Sequence, residues 1–217
     1  MTTGIRIKIC CISSPREASL AVAYGASAIG LVGNMPSGPG IIADSQIRNI
    51  AQGVPPGVST FLLTSETRPD AIVAHYQRTH TSAIQMVDRL EGNRFEAIRT
   101  TLPHVKLIQV IHVLDEHSIQ EAWEAAQQVD ALLLDSGNPK LAIKELGGTG
   151  RTHDWKLSRK IREMVSVPVF LAGGINKDNV RQAIEYVQPF GIDLCSSVRT
   201  QGQLDEQKLD EFFNAVR

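Results

Sequence analysis

Short apolar runs alternate with helical patterns along the whole chain, and this alternation limits the possible folds more than any other feature. The apolar runs are almost continuous, which is typical of parallel strands that helices cover on both faces. Eight strand–helix pairs in 217 residues predict an α/β fold, a single (β/α)8 TIM barrel over residues 1–217, because such barrels typically need about 200 to 250 residues. We predict strands at residues 6–10, 28–32, 58–63, 82–86, 106–111, 131–135, 167–172 and 192–196. The predicted helices are at residues 15–24, 44–51, 69–77, 95–101, 118–129, 154–165, 177–187 and 205–216, with Ser118 and Asp154 as N-caps.

An open doubly wound sheet is the main alternative fold. It usually has about five or six strands, and its phosphate loop follows the first of them. Here the glycine-rich turns, at residues 147–150 and 173–174, follow late strands. A closed barrel commonly binds phosphate after its last two strands, so the position of the glycines favours the barrel.

Charge and hydropathy exclude two classes of partner. The net charge of −1 gives no electrostatic reason to expect binding to nucleic acid or to an anionic membrane. No apolar run approaches the roughly 20 residues of a membrane-spanning helix, and the first residues do not follow a signal-peptide pattern. The three cysteines cannot all pair, which is simplest in a reducing cytoplasm. We therefore expect a cytoplasmic protein, with monomer and homodimer both open.

Three consecutive predicted strands end in residues that suit chemistry beside a phosphate group. Asp135 ends the first, Gly173 and Gly174 follow the second, and Ser196 and Ser197 end the third. Barrel enzymes build their sites at this end of the strands. Asp135 either bonds its own backbone at the start of a loop or acts as a general acid, with a pKa raised by burial.

Gly173 and Gly174 precede a predicted helix at residues 177–187. Free backbone N–H groups and the helix dipole would make this turn an anion site, to which Ser196 and Ser197 add donors. The alternative is a tight turn without a ligand. The six histidines show no spacing typical of metal ligands, so we expect no metal and place most of them on the surface.

The first strand alternates between two faces. Ile7 and Ile9 should face the helices, so Lys8 and Cys10 should point into the barrel. A cysteine thiol has a pKa of about 8.5 and can act as a base if a nearby cation lowers that pKa. The more common alternative for Cys10 is a small core residue. A buried Lys8 needs a carboxylate, and Asp193 on the neighbouring last strand is the predicted partner, unless Lys8 reaches the lower rim.

The order and spacing of these residues resemble phosphoribosylanthranilate isomerases from about residue 7 to residue 217. The resemblance implies a TIM barrel and an Amadori rearrangement in tryptophan biosynthesis, an aldose–ketose isomerisation of a small phosphorylated sugar without metal or organic cofactor. It implies that Cys10 is the general base and Asp135 the general acid. The phosphate would be held by Gly148, Gly150, Gly173, Gly174, Ser196 and Ser197. The motifs that carry the resemblance are residues 8–10, Asp135, 147–150 with 154–155, 171–176, and Asp193 with 196–197.

The chain departs from the family pattern at five positions. Cys11 and Ser197 stand where the family has glycine, and Arg199 stands where it has glutamate. Gly40 replaces the arginine that meets the anthranilate carboxylate, and Val87 replaces a histidine. Loss of an arginine–carboxylate contact should weaken binding by roughly 2 kcal/mol or more. Gly40, Val87 and Arg199 are therefore the predicted substrate-recognition positions, with Arg199 as a replacement contact for the carboxylate.

Two further hypotheses remain open at this point. One is a sugar-phosphate isomerase, epimerase or lyase of the same barrel type that acts on another substrate. The other is a binding protein that keeps the phosphate pocket without turnover. The presence of both Cys10 and Asp135 argues against the second, because binding alone needs neither residue.

Overall fold

The computed structural model describes residues 4–137 and 152–217. Eight parallel strands close into one barrel in chain order, and helices alternate with them, so the predicted (β/α)8 fold is confirmed. The strands are β1 (Arg6–Ile9), β2 (Ala28–Val32), β3 (Ser59–Thr64), β4 (Ala83–Met86), β5 (Lys106–His112), β6 (Ala131–Asp135), β7 (Val169–Leu171) and β8 (Gly191–Leu194).

The part of the chain that the structure describes has eight α-helices. None of them is both long and apolar enough to cross a bilayer. A two-stranded hairpin, β9 (Arg199–Thr200) with β10 (Gln203–Leu204), precedes the last helix. The helices are α1 (Pro15–Tyr24), α2 (Asp44–Gly53), α3 (Pro69–Thr79), α4 (Phe95–Thr101), α5 (His117–Ala126), α6 (Trp155–Met164), α7 (Val180–Val187) and α8 (Glu206–Val216).

Local signals in the sequence set the ends of α1. The Ser14 hydroxyl accepts a hydrogen bond from the Glu17 backbone N–H at 3.2 Å, and Pro15 occupies the first helical turn, where its missing N–H is not needed. Gly25 ends the helix at φ 110°, a left-handed conformation that glycine adopts without strain. These signals explain why the sequence predicts α1 to the residue.

The barrel separates two cores. The outer core lies between strands and helices and contains Ile7 and Ile9, as the alternation in β1 predicts. The inner core fills the barrel and contains Phe61 and Phe170, whose rings meet edge to face with centroids 5.9 Å apart. Side chains that point inward therefore form a packed interior below the site, not a channel.

β1 and β8 close the barrel, with Lys8 opposite Asp193 in the register. The Lys8 ammonium donates to the Asp193 carboxylate across 2.8 Å, and the Lys8 side chain is fully buried. The predicted Lys8–Asp193 pair is confirmed, and it excludes the alternative in which Lys8 reaches the lower rim. A buried cation thus lies directly under the carboxyl end of the barrel.

Candidate active site

A cavity opens at the carboxyl end of the barrel, where the strand ends converge. Its lining includes most of the site residues predicted from the sequence: Cys10, Val87, Asp135, Gly173, Gly174, Ser196 and Ser197. Gly148 and Gly150 lie outside the described residues. The fold therefore brings the predicted acid, the predicted base and the later part of the predicted phosphate site to one cavity.

Cys10 follows β1 directly and is 5% exposed. Its backbone N–H donates to the Leu194 carbonyl at 2.7 Å, which fixes it to the end of β8. The neighbouring Cys11 thiol lowers the pKa of Cys10 most, and the Lys8 ammonium lowers it further against the opposing effect of burial. The environment therefore favours the thiolate of Cys10.

Lys8 supplies positive charge below Cys10. Burial alone would lower the pKa of this ammonium, but the Asp193 carboxylate in particular raises it above its ordinary value. Gly30 on β2 makes room for both groups, because a Cβ atom there would lie 2.8 Å from the Cys10 sulfur and 3.1 Å from the Lys8 nitrogen. Sequence reasoning missed Gly30, although an isolated glycine inside a strand signals close approach of another group.

Asp135 ends β6 inside the cavity and is 7% exposed. One of its carboxylate oxygens accepts a hydrogen bond from the Ser136 N–H at 2.7 Å, so the local backbone bond considered from the sequence is present. Burial nevertheless raises the pKa of Asp135, against the opposing effects of this bond and of His112 and Lys8. The carboxyl group can therefore hold a proton at higher pH than an ordinary aspartate.

The turn after β7 matches the predicted anion site only in part. Gly173 has φ 76°, and a Cβ atom there would lie 2.9 Å from the Ser136 hydroxyl oxygen, so no other residue fits without movement. α7 begins at Val180, not at the predicted residue 177, and a turn stabilised by the Asn179 side chain separates it from the glycines. The prediction that the dipole of α7 acts at Gly173 and Gly174 is therefore wrong, because the helix begins further along the chain.

Ser196 and Ser197 lie in a single 3-10 turn after β8. The Ser197 hydroxyl is buried and has no hydrogen-bond partner among residues 4–137 and 152–217. A buried hydroxyl without a partner costs about 1–3 kcal/mol, so a ligand oxygen at this end of the cavity would gain by accepting from it. This unsatisfied donor supports the predicted anion site better than the glycines alone.

Arg199 does not face the cavity, contrary to its predicted role as a replacement contact for the substrate carboxylate. Its guanidinium donates to the carbonyls of Cys10 at 3.1 Å and Cys11 at 2.7 Å, and it forms an ion pair with Glu17 at 3.0 Å. The 3-10 turn before β9 breaks the alternation of the strand and directs Arg199 behind β1. Arg199 therefore holds the backbone of Cys10 and Cys11 in place.

Val87 lines the cavity, and its carbonyl oxygen accepts from the His112 ring nitrogen Nε2 at 3.0 Å. His112 and His75 are buried and are exceptions to the expectation that most histidines lie on the surface, since the other four are exposed or partly exposed. The other ring nitrogen of His112 has no partner within the described ranges. No sequence pattern marks this histidine, because it ends an otherwise ordinary apolar strand.

Comparison with known proteins agrees with the geometry. Residues 7–215 match the family model of N-(5'-phosphoribosyl)anthranilate (PRA) isomerase. The chain is 33% identical to an N-(5'-phosphoribosyl)anthranilate isomerase of Methanocella arvoryzae over 98% of both chains. It resembles the solved isomerase of Thermotoga maritima with a TM-score of 0.81 and 28% identity over 98% of both chains. A second solved isomerase, which holds reduced 1-(o-carboxyphenylamino)-1-deoxyribulose 5-phosphate, matches with a TM-score of 0.78 and 27% identity over 98% of both chains.

Proposed function

The chain belongs to the N-(5'-phosphoribosyl)anthranilate isomerase family, and from this membership we propose that it isomerises N-(5'-phosphoribosyl)anthranilate with Cys10 as general base and Asp135 as general acid. The product is the 1-deoxyribulose phosphate, so the reaction is an Amadori rearrangement of an aldose derivative to a ketose. One observation carries the assignment of roles: both side chains line one cavity, and their environments shift their pKa values in opposite directions.

Asp135 begins the reaction. A protonated carboxyl group donates to the ring oxygen of the ribose, the bond from C1 to that oxygen breaks, and the nitrogen lone pair forms an iminium. Burial, which raises the pKa of Asp135, keeps the required proton on the acid. The open-chain iminium then makes the hydrogen on C2 acidic.

Cys10 completes the reaction. Its thiolate removes the C2 proton, and the electron pair of that C–H bond moves to the iminium and gives an enolamine. Tautomerisation of the enolamine to the C2 ketone leaves an isomer of the substrate, with no net gain or loss of atoms. The Lys8 ammonium stabilises the thiolate from below. It stays paired with Asp193 and so does not occupy the cavity.

The phosphate of the substrate binds between the ends of β7 and β8. The Ser197 hydroxyl has no partner in the described part of the chain, and Gly173 and Gly174 keep side chains away from this end of the cavity. Among the described lining residues of the cavity, none is an arginine or lysine. Hydroxyl and backbone donors there would therefore bind the anion, helped by Gly148 and Gly150 as the resemblance implies.

Two variants test the roles. The substrate loses its anthranilate fluorescence on conversion, so Cys10→Ala and Asp135→Asn should each slow the fluorescence decay by about 100-fold or more while a phosphorylated product analogue still binds. Asp154→Asn is the matched control, since Asp154 caps α6 outside the cavity and asparagine caps equally well. Turnover at the wild-type rate in either active-site variant would overturn the assignment.

Assays of the wild-type protein distinguish the two other hypotheses, an enzyme for another substrate and a binding protein without turnover. An enzyme for another sugar phosphate would leave the fluorescence unchanged at micromolar protein and would convert a different phosphorylated sugar. A binding protein without turnover would bind the product analogue and convert nothing. The fluorescence assay, the binding titration and turnover assays with other phosphorylated sugars together distinguish all three.

A further inference from the structure

Three cysteine sulfurs gather at the mouth of the barrel, and two of them are in direct contact. The sulfurs of Cys11, after β1, and Cys195, after β8, lie 2.8 Å apart across the seam that closes the barrel. A disulfide bond would require them to approach by less than about 1 Å. Among the described residues, no group of three or more His, Cys, Asp or Glu side chains is placed to hold a metal ion.

The backbone holds Cys11 in this contact. Its φ is 62°, a left-handed conformation that a residue with a Cβ atom adopts only when its surroundings impose it. The Arg199 guanidinium fixes the Cys11 carbonyl at 2.7 Å, and the Cys11 sulfur also lies 3.5 Å from the Pro39 carbonyl. The side chain of Cys11 is thus held between the loop after β2 and Cys195.

We propose that Cys11 and Cys195 form a reversible disulfide when the protein meets a low-molecular-weight disulfide, and that this bond lowers turnover because both cysteines line the cavity beside Cys10. Cys195 is partly exposed in the cavity, whereas Cys11 is buried. The Cys195 sulfur, after losing its proton, therefore attacks the reagent first. It forms a mixed disulfide and expels one reagent thiolate, which takes up a proton.

The second step closes the bond within the protein. The Cys11 sulfur attacks the Cys195 sulfur of the mixed disulfide, and the second reagent thiol leaves with the proton that Cys11 gives up. Two protein thiols are oxidised and one reagent disulfide is reduced to two thiols. Cys10 remains a thiol, but the cavity wall beside it is now cross-linked. The loss of the Cys11 thiol also removes a group that lowers the pKa of Cys10.

Mass spectrometry of the folded protein tests the bond. Wild-type protein treated with oxidised glutathione, then alkylated and digested without reductant, should lose two hydrogen atoms and yield a peptide pair that joins Cys11 to Cys195. Cys10→Ser should give the same pair, and Cys195→Ser should give none. A lasting mixed disulfide on Cys195, a cross-link to Cys10 or no oxidation at all would each overturn the proposal.

Turnover tests the consequence, and this part rests on the proposed function. The rate of fluorescence decay should fall on oxidation and recover with reductant in the wild type, while Cys195→Ser should not respond to oxidised glutathione. A disulfide that leaves turnover unchanged would overturn the link to Cys10. The mass measurement needs no activity, so failure of the proposed function and failure of the disulfide remain distinguishable.

Discussion

A Cβ atom placed on Gly40 would lie 2.6 Å from the Cβ atom of Cys11 and 3.2 Å from its sulfur. These two positions are departures from the family pattern, in which the first carries arginine and the second glycine. In the family pattern the larger side chain lies on the loop after β2, whereas here it lies on the loop after β1. Gly40 therefore cannot take a side chain without movement while Cys11 keeps its own.

We predict that Gly40→Ala destabilises the protein and that Cys11→Gly relieves part of this loss. Gly40 has φ 78°, so alanine there adds backbone strain of roughly 1 kcal/mol as well as the contact with Cys11. A double-mutant cycle from urea unfolding should give a coupling energy of about 1–3 kcal/mol. Additive effects of the two changes would show that the steric dependence is absent.

Removal of one partner of the Lys8–Asp193 pair should strongly destabilise the fold. Asp193→Asn leaves a fully buried ammonium without its carboxylate, and loss of one partner of a buried ion pair costs about 3–5 kcal/mol in free energy of unfolding. Combining Lys8→Met with Asp193→Leu should restore much of the stability, because no unpaired charge remains. The exposed pair Arg159–Glu163 is the control, and Glu163→Gln should change stability by less than about 1 kcal/mol.

Turnover should have a bell-shaped dependence on pH. The thiolate of Cys10 must form, so the rate rises with pH, and because the pKa of Cys10 is lowered, this rise begins below the pH of an ordinary thiol. The proton of Asp135 must be kept, so the rate falls at higher pH, and the raised pKa of Asp135 moves this fall upward. The two apparent pKa values belong to the interacting pair.

Asp135→Asn tests which group causes the fall at high pH. Its residual activity should rise with pH and then stay level, because the amide has no proton to lose. The comparison needs kcat/KM, measured across the pH range in the wild type and in the variant. A fall that persists in the variant would assign the acid to another residue.

Ser197→Ala should weaken the binding of phosphate esters. A hydrogen bond to a charged group contributes about 1.5–3 kcal/mol, so the KM should rise about tenfold or more while kcat changes little. Ser19→Ala is a suitable control, because Ser19 is exposed and lies on α1, far along the chain from Ser197. An unchanged KM would show that the buried Ser197 hydroxyl does not meet the phosphate.

Features that depend on local sequence were predictable. Strands 28–32 and 131–135 and helices 15–24 and 95–101 match the structure to the residue, because apolar runs and capping residues act over a few positions. Asp154 likewise caps α6, where its carboxylate accepts from the Lys156 N–H at 2.8 Å. The helix predicted at 118–129 instead runs from His117 to Ala126, and Ser118 bonds the loop before it rather than capping it.

By itself the sequence determined the barrel, the placing of Cys10 and Asp135 at one end of it, and the Lys8–Asp193 pair. Each follows from strand alternation and from the rule that a closed sheet brings its first and last strands together. Only the tertiary structure decided that Arg199 turns behind β1, that the Cys11 and Cys195 sulfurs are in contact, and that Cys11 leaves no room for a side chain at Gly40. These contacts join loops distant in sequence, where no periodicity fixes the direction of a side chain and only the space left by the folded barrel does.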